Sequence, residues 1–226
     1  MKTTREYIHF YLLLALCTAI VLFNSCSKED DELDKELDNS STYDKGVFIN
    51  GVKWTTRNVG APGTFVQNPE DYGNHYQFNK GTTDFLLLED YLNSAYANSN
   101  SWLPANDPSP AGYRVPTFKE IQSLCDTTYV TNEWISLNGV NGKKFTDKRT
   151  GNSIFLPAAD ARNDDGTLFS EAILFFKIRQ YGYYWSSTGY GGNNSYYLGF
   201  YSDEAFTGDF YDHYLGAGHS IRPVAK

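Results

Sequence analysis

Residues 46–57 read Gly-Val-Phe-Ile-Asn-Gly-Val-Lys-Trp-Thr-Thr-Arg. Two short runs containing apolar residues flank Asn50-Gly51. That dipeptide is the strongest short hairpin signal, because both of its residues tolerate a positive φ. The same pattern recurs outward along the chain. Asn138-Gly139 and Asn141-Gly142 punctuate Trp134–Leu137 and Lys143–Thr146 in the same way. Asn152–Leu156 is a further short apolar strand, stopped by Pro157. Two segments read as helical. Thr117-Phe118-Lys119-Glu120 is a capping box behind Pro116, with Ile121 and Leu124 on one face. Phe85–Tyr96 is the second. Residues 98–112 carry three prolines among small and polar residues and read as loop. Few helices, many hairpins and no strand–helix–strand alternation place the chain in the α+β class; no tandem repeat runs through it.

The N-terminus has a different grammar. Lys2 and Arg5 precede the uncharged run Phe10–Phe23, fourteen residues long. A membrane span needs about 18 or more apolar residues. This run has instead the length of a signal-peptide core. Asn24, Ser25 and Cys26 follow, and a small residue before a cysteine at this place resembles the bacterial lipoprotein signal. That resemblance implies acylation of Cys26 as the first mature residue, with residues 1–25 removed. Residues 27–42 hold seven acids and two lysines, a net charge of −5, so 26–42 is expected to be a lipidated cysteine and a solvated tether. The start Cys26-Ser27-Lys28-Glu29-Asp30-Asp31 also resembles the surface-export signal of lipoproteins from Bacteroidetes, which implies an outer-membrane, surface-exposed location.

The remainder, 43–226, is long enough for one core and carries a net charge of −4, against −8 for the whole chain. An acidic balance without clustered Lys and Arg argues against nucleic acid. Of three cysteines, only Cys125 lies in this part. It has no disulfide partner there, and it reads as a small apolar side chain rather than an activated thiolate.

Four blocks carry a resemblance over residues 46–226. They are Asn106–Thr117 (NDPSPAGYRVPT), Gly151–Ala159 (GNSIFLPAA), Gly182–Thr188 (GYYWSST) and Gly218–Val224 (GHSIRPV). In this order they resemble the Fibrobacter succinogenes major paralogous domain. That family is related to the formylglycine-generating-enzyme branch of the C-type lectin-like fold, so the resemblance implies a C-type lectin-like domain of short antiparallel strands, hairpins and about two helices. Arg114 and Arg222 are expected to hold carboxylates or carbonyls by forked hydrogen bonds in a polar core. Trp185 is expected as a buried wedge, with Ser186, Ser187 and Thr188 satisfying nearby backbone groups. Family members often carry cysteines where Ser109 and Pro223 stand; both are absent here, which implies loss of that staple.

No catalytic residues, cofactor or metal are expected. Formylglycine-generating enzymes use a cysteine pair in the C-terminal part of the fold, and no cysteine follows Cys125. No nucleophile elbow, zinc-protease or phosphate-loop motif appears. Asp209, Asp212 and His213 read as a solvated acidic loop rather than a metal site. Asp160–Glu171 has the acidic ends of a calcium loop, but Arg162 holds a ligand position and Asp165 stands where glycine is needed. Asn163-Asp164-Asp165-Gly166 therefore reads as a tight turn.

Tyr181–Tyr214 is the unusual segment. Its 34 residues hold nine Tyr, three Phe and one Trp, with six Gly and four Ser, and no Lys or Arg. A core cannot absorb so many tyrosines readily, since each buried hydroxyl needs a partner. Tyr with Ser, Gly, Asn and Asp is also the chemistry of antibody binding loops. The expected ligand contacts are Tyr190, Asn193, Asn194, Tyr197, Tyr201, Asp203, Glu204, Phe206, Asp209, Phe210, Tyr211, Asp212, His213 and Tyr214. Alternation in Ser195–Ser202 offers the competing possibility of a packed meander, with Tyr196, Leu198 and Phe200 on one face and Tyr197 and Tyr201 on the other. Gly191–Tyr214 is also similar to the variable regions of diversity-generating retroelement proteins, which implies diversification.

The expectation is a non-catalytic surface lipoprotein that binds a protein or glycan ligand through the Tyr-rich segment, reaching the membrane only by its lipid. The alternatives from other classes are a fimbrial-tip or surface-assembly subunit, and a carbohydrate-active enzyme whose carboxylates meet only on folding.

Overall fold

In the computed structural model, residues 40–169, 181–191, 194–208 and 216–226 are described. The proposed signal, Cys26 and the tether up to residue 39 lie outside them. In chain order the elements are β1 (Val47–Ile49), β2 (Val52–Trp54), β3 (Tyr76–Gln77), α1 (Leu88–Leu92), β4 (Tyr113–Arg114), α2 (Phe118–Cys125), β5 (Val130–Leu137), β6 (Val140–Asp147), β7 (Ser153–Pro157), β8 (Gly182–Gly191), β9 (Asn194–Phe200), β10 (Ala205–Gly208), β11 (Gly218–His219) and β12 (Val224–Ala225). A single 3-10 turn, Pro104–Asn106, punctuates the long loop. The described residues form mostly small antiparallel sheets with two short helices, broadly α+β or mainly β. The sheets run β1-β2-β12-β4, β5-β6-β7, β10-β9-β8 and β11-β3.

The turns set the registers. Asn50 and Gly51 stand at φ 46° and 83°, Asn138 and Gly139 at 48° and 84°. Those are the left-handed values of a type I′ loop, whose twist matches the strands it joins. Ile49 thereby pairs with Val52, and Leu137 with Val140. Asn141-Gly142 is not a turn. It lies within β6, and a Cβ on Gly142 would stand 2.3 Å from the Leu156 carbonyl oxygen and 2.5 Å from the Phe155 ring. Glycine here serves the close approach of β7.

The capping box forms. Thr117 N–H donates to the Glu120 carboxylate at 2.7 Å, and Glu120 N–H donates to Thr117 Oγ1 at 3.4 Å. Ile121 and Leu124 are the buried face of α2. Of Phe85–Tyr96, only Leu88–Leu92 is helical. Leu87 is extended (φ −57°, ψ 152°) and supplies no side-chain cap. The Leu88 N–H donates instead to Asp164 Oδ2, 2.8 Å away across the fold.

Two apolar clusters make the core, and the β8–β9 hairpin lies between them. Tyr184, Leu198 and Phe200 face the first cluster, with Ile121, Leu124, Phe145 and Leu156. Trp185 and Tyr197 face the second, with Tyr76, Phe78, Tyr91 and Trp102. The period of two puts alternate residues of each strand into different clusters. Each large side chain so buried is worth about 1.5–3 kcal/mol before entropy is charged.

The chain's last strand completes the first sheet. Val224 of β12 pairs with Trp54 on one side and Arg114 on the other. Beside it Arg222 is buried (1% exposed). Its Nε donates to Asn58 Oδ1 at 2.8 Å, Nη2 to the Phe155 carbonyl at 3.0 Å and Nη1 to the Thr55 carbonyl at 3.4 Å. Arg222 thus grips carbonyls, and burial pulls its pKa down. Arg114 forks onto Glu120 at 2.8 and 2.6 Å, but at a partly exposed place rather than in the core. Trp185 is the expected wedge, fully buried, its Nε1–H donating to the Tyr76 carbonyl at 2.6 Å. Ser186 Oγ accepts from Thr188 N–H, and Thr188 Oγ1 accepts from Phe118 N–H. Cys125 is half-buried, and loss of solvation pushes its thiol up to about 12, so it stays protonated and inert.

Candidate functional site

β8, β9 and β10 carry the aromatic segment. Its registers put Tyr183 opposite Gly199 and Phe206 opposite that same glycine from the other side. A Cβ on Gly199 would lie 2.5 Å from the Phe206 ring, so glycine lets the ring lie flat on β9. Two ring ladders result.

The first joins Tyr181, Tyr183, Tyr201 and Phe206, all half-buried. Tyr181 stacks toward Tyr183 at 6.3 Å and meets Tyr201 at 6.1 Å; Tyr201 meets Phe206 at 6.2 Å. The turn between β9 and β10 closes when Tyr201 N–H donates to the Glu204 carbonyl at 3.0 Å. It holds Asp203 and Glu204 exposed beside the rings. Tyr201 Oη donates to Glu204 Oε2 at 2.8 Å, and this carboxylate holds the phenol above its usual pKa. Burial does the same for Tyr183, more strongly.

The second ladder is smaller. Phe118, the first residue of α2, stacks on Tyr196 at 3.8 Å, and Tyr190 meets Tyr196 edge-on at 5.1 Å. Tyr190 is 45% exposed.

Of the expected contacts, Tyr190, Tyr201, Asp203, Glu204 and Phe206 therefore have accessible surface. Tyr197 does not. It is 2% exposed and packs in the second core cluster, which covers that face of β9. It is a core residue, and we correct its assignment. Asn194 opens β9 opposite Gly191. Asn193, Asp209, Phe210, Tyr211, Asp212, His213 and Tyr214 lie outside the described residues. Sequence reasoning missed Tyr181, Tyr183, Tyr196 and Phe118. The alternation placed Tyr196 on the same side as Leu198 and Phe200, which is true. What alternation cannot show is that this face reaches solvent at one end of the strand.

Asn163–Gly166 is the expected turn: Gly166 N–H donates to the Asn163 carbonyl at 2.9 Å, with Gly166 at φ 81°. Asp165 Oδ1 accepts from both the N–H and the hydroxyl of Thr167. Asp164 caps α1, and Asp165 braces the turn through Oδ1. Among the described residues, no three His, Cys, Asp or Glu side chains gather as a metal site. No described helix is long and apolar enough to cross a membrane.

No protein-family model, curated protein or solved structure matches the chain.

Proposed function

We propose that this protein is a surface lipoprotein whose C-type lectin-like domain binds a protein or glycan ligand without catalysis, through the aromatic face of β8–β10. The observation that carries the reading is the ladder Tyr181–Tyr201–Phe206 beside the exposed carboxylates of Asp203 and Glu204. Rings give contact area at low entropic cost. The two exposed carboxylates favour a neutral or basic partner. Outer-membrane location, with membrane contact through the lipid alone, rests on the Cys26 signal.

Support for the C-type lectin-like arrangement comes from where the four sequence blocks meet. Trp185 N–H donates to the Ser220 carbonyl, Arg222 reaches the Phe155 carbonyl, and Val224 pairs with Arg114. Each of these contacts joins two of the four blocks. Diversification of Gly191–Tyr214 is part of the same reading; it requires a reverse transcriptase and an adenine-bearing template repeat near the gene.

The test is binding of the purified full-length chain to arrays of glycans and surface proteins, with calcium and with chelator. The expected result is a hit that a Tyr190→Ala, Tyr201→Ala double variant loses while keeping its melting temperature. Loss with chelator alone, or full binding by the double variant, overturns the assignment.

A further inference from the structure

A cleft of about 660 Å3 opens between residues 72–75, the segment Thr83–Phe85 and the turn that follows Arg162. That is within the range of small-ligand sites, about 300–1,000 Å3. None of its lining residues belongs to β8–β10, so it is a second feature, independent of the aromatic face.

Its walls are braced by hydrogen bonds. Arg162 and Gly218 exchange backbone hydrogen bonds, both 2.8 Å, and Asn163 N–H donates to the Thr167 carbonyl at 2.9 Å. Opposite, Asn74 is fastened through its N–H to the Val59 carbonyl and through Nδ2 to the Gly60 carbonyl. Phe85 is seated by the absence of a side chain: a Cβ on Gly218 would stand 2.2 Å from its Cζ. A ligand would therefore meet a shape already formed.

Two charged side chains of the cleft, Arg162 and Asp165, are only half used. Arg162 Nη1 donates to the Gly166 carbonyl; among the described residues its Nε and Nη2 donate to nothing. Asp165 Oδ1 is taken by Thr167, whose hydroxyl and N–H hold the carboxyl below its usual pKa, and Oδ2 accepts from no other described residue. Arg162 and Asp165 line the same cleft yet do not pair with each other. Thr83 adds an exposed hydroxyl, and Phe85 a half-buried ring.

One open cation and one open anion give the lining no net charge from these two groups, so neither an anion nor a cation is drawn in as such. What satisfies both edges at once is a group that donates and accepts, and adjacent hydroxyls on one scaffold do that. A sugar also offers a C–H face to an aromatic ring. We propose that this cleft binds a neutral saccharide without a metal ion, with Arg162 donating to ring hydroxyls, Asp165 accepting from them and Phe85 beneath the sugar.

The test is isothermal titration of the full-length chain with the methyl glycosides of glucose, galactose, mannose and N-acetylglucosamine, with and without EDTA, and with glycylglycine as a zwitterionic probe. At least one glycoside should bind in the millimolar range and be indifferent to EDTA. Arg162→Met and Asp165→Asn should each weaken it at least about tenfold, the factor lost with one hydrogen bond to a charged group. Should Arg162→Met fail to fold, Asp165→Asn and Thr83→Val, both at exposed positions, carry the same comparison. The proposal is overturned by no glycoside binding, by binding that EDTA abolishes, by binding that Asp165→Asn and Thr83→Val leave intact, or by binding of glycylglycine alone.

Discussion

Trp185 and His219 stack face to face, ring centroids 3.8 Å apart and planes 22° from parallel, both fully buried. The contact joins β8 to β11, and the two rings come from the third and fourth sequence blocks. Phe78 meets the same indole at 5.7 Å from another side. The indole N–H is spent on the Tyr76 carbonyl, so the ring is fixed by a hydrogen bond as well as by packing.

Trp185→Ala should therefore cost about 3–5 kcal/mol, the range for deleting a buried aromatic side chain. Urea unfolding of the full-length chain, followed by near-ultraviolet circular dichroism, measures it. A loss under about 1 kcal/mol would mean that the second cluster collapses around the gap.

Arg222 sets a different kind of test. Removing its guanidinium leaves Asn58 Oδ1 and the Phe155 carbonyl short of a donor in a buried place. Arg222→Met keeps much of the volume but not the donors, so it should destabilise by roughly 2–4 kcal/mol. Arg222→Lys should rescue little of that, because one ammonium cannot reach partners spread around a planar fork. Melting temperatures of the two variants decide it: a wild-type value for the lysine variant would show that the charge matters and the fork does not.

The pair Arg114–Glu120 should be visible in the pH dependence of stability. Burial raises the Glu120 carboxyl, but the Arg114 fork and the Thr117 hydrogen bonds together outweigh it and hold the carboxyl below its ordinary value. A carboxylate depressed in the folded state contributes stability above its unfolded pKa and loses it as pH falls through its folded pKa. The wild-type chain should thus lose more stability than Glu120→Gln between about pH 5 and pH 3. Glutamine keeps a capping-box partner for Thr117, so the helix start survives in the variant. Parallel acid-unfolding curves for the two proteins would refute the assignment.

Local chemistry was legible where a single dipeptide or tetrapeptide decides the geometry. Asn50-Gly51 and Asn138-Gly139 need only their own φ values, and the capping box of Thr117 and Glu120 needs only its own spacing. The same signal misled at Asn141-Gly142, where the glycine answers to the distant Leu156 carbonyl. The helix at Leu88 is capped by Asp164, a partner that no window around residue 88 contains. The aromatic segment shows the limit most clearly. Composition marks a surplus of rings, but whether a ring lies inside or out depends on what covers each face of β9. Leu198 and Tyr197 are neighbours of opposite parity, and both are buried because a separate cluster stands on either side.

That difference supplies the last test, between neighbouring rings of the same strand and hairpin. Tyr197 sits at 2% exposure among Trp185, His219 and Phe206, so Tyr197→Ala should cost about 3–5 kcal/mol. Tyr190, at 45% exposure, touches the second ladder only at its edge, so Tyr190→Ala should change stability by less than about 1 kcal/mol. Tyr201→Phe should also be mild, removing only the exposed hydrogen bond to Glu204 and leaving its ring against Phe206. Chemical denaturation of the three variants orders them. If Tyr190→Ala proved as damaging as Tyr197→Ala, the exposed rings would be serving the core, and the binding face would have to be sought elsewhere on the domain.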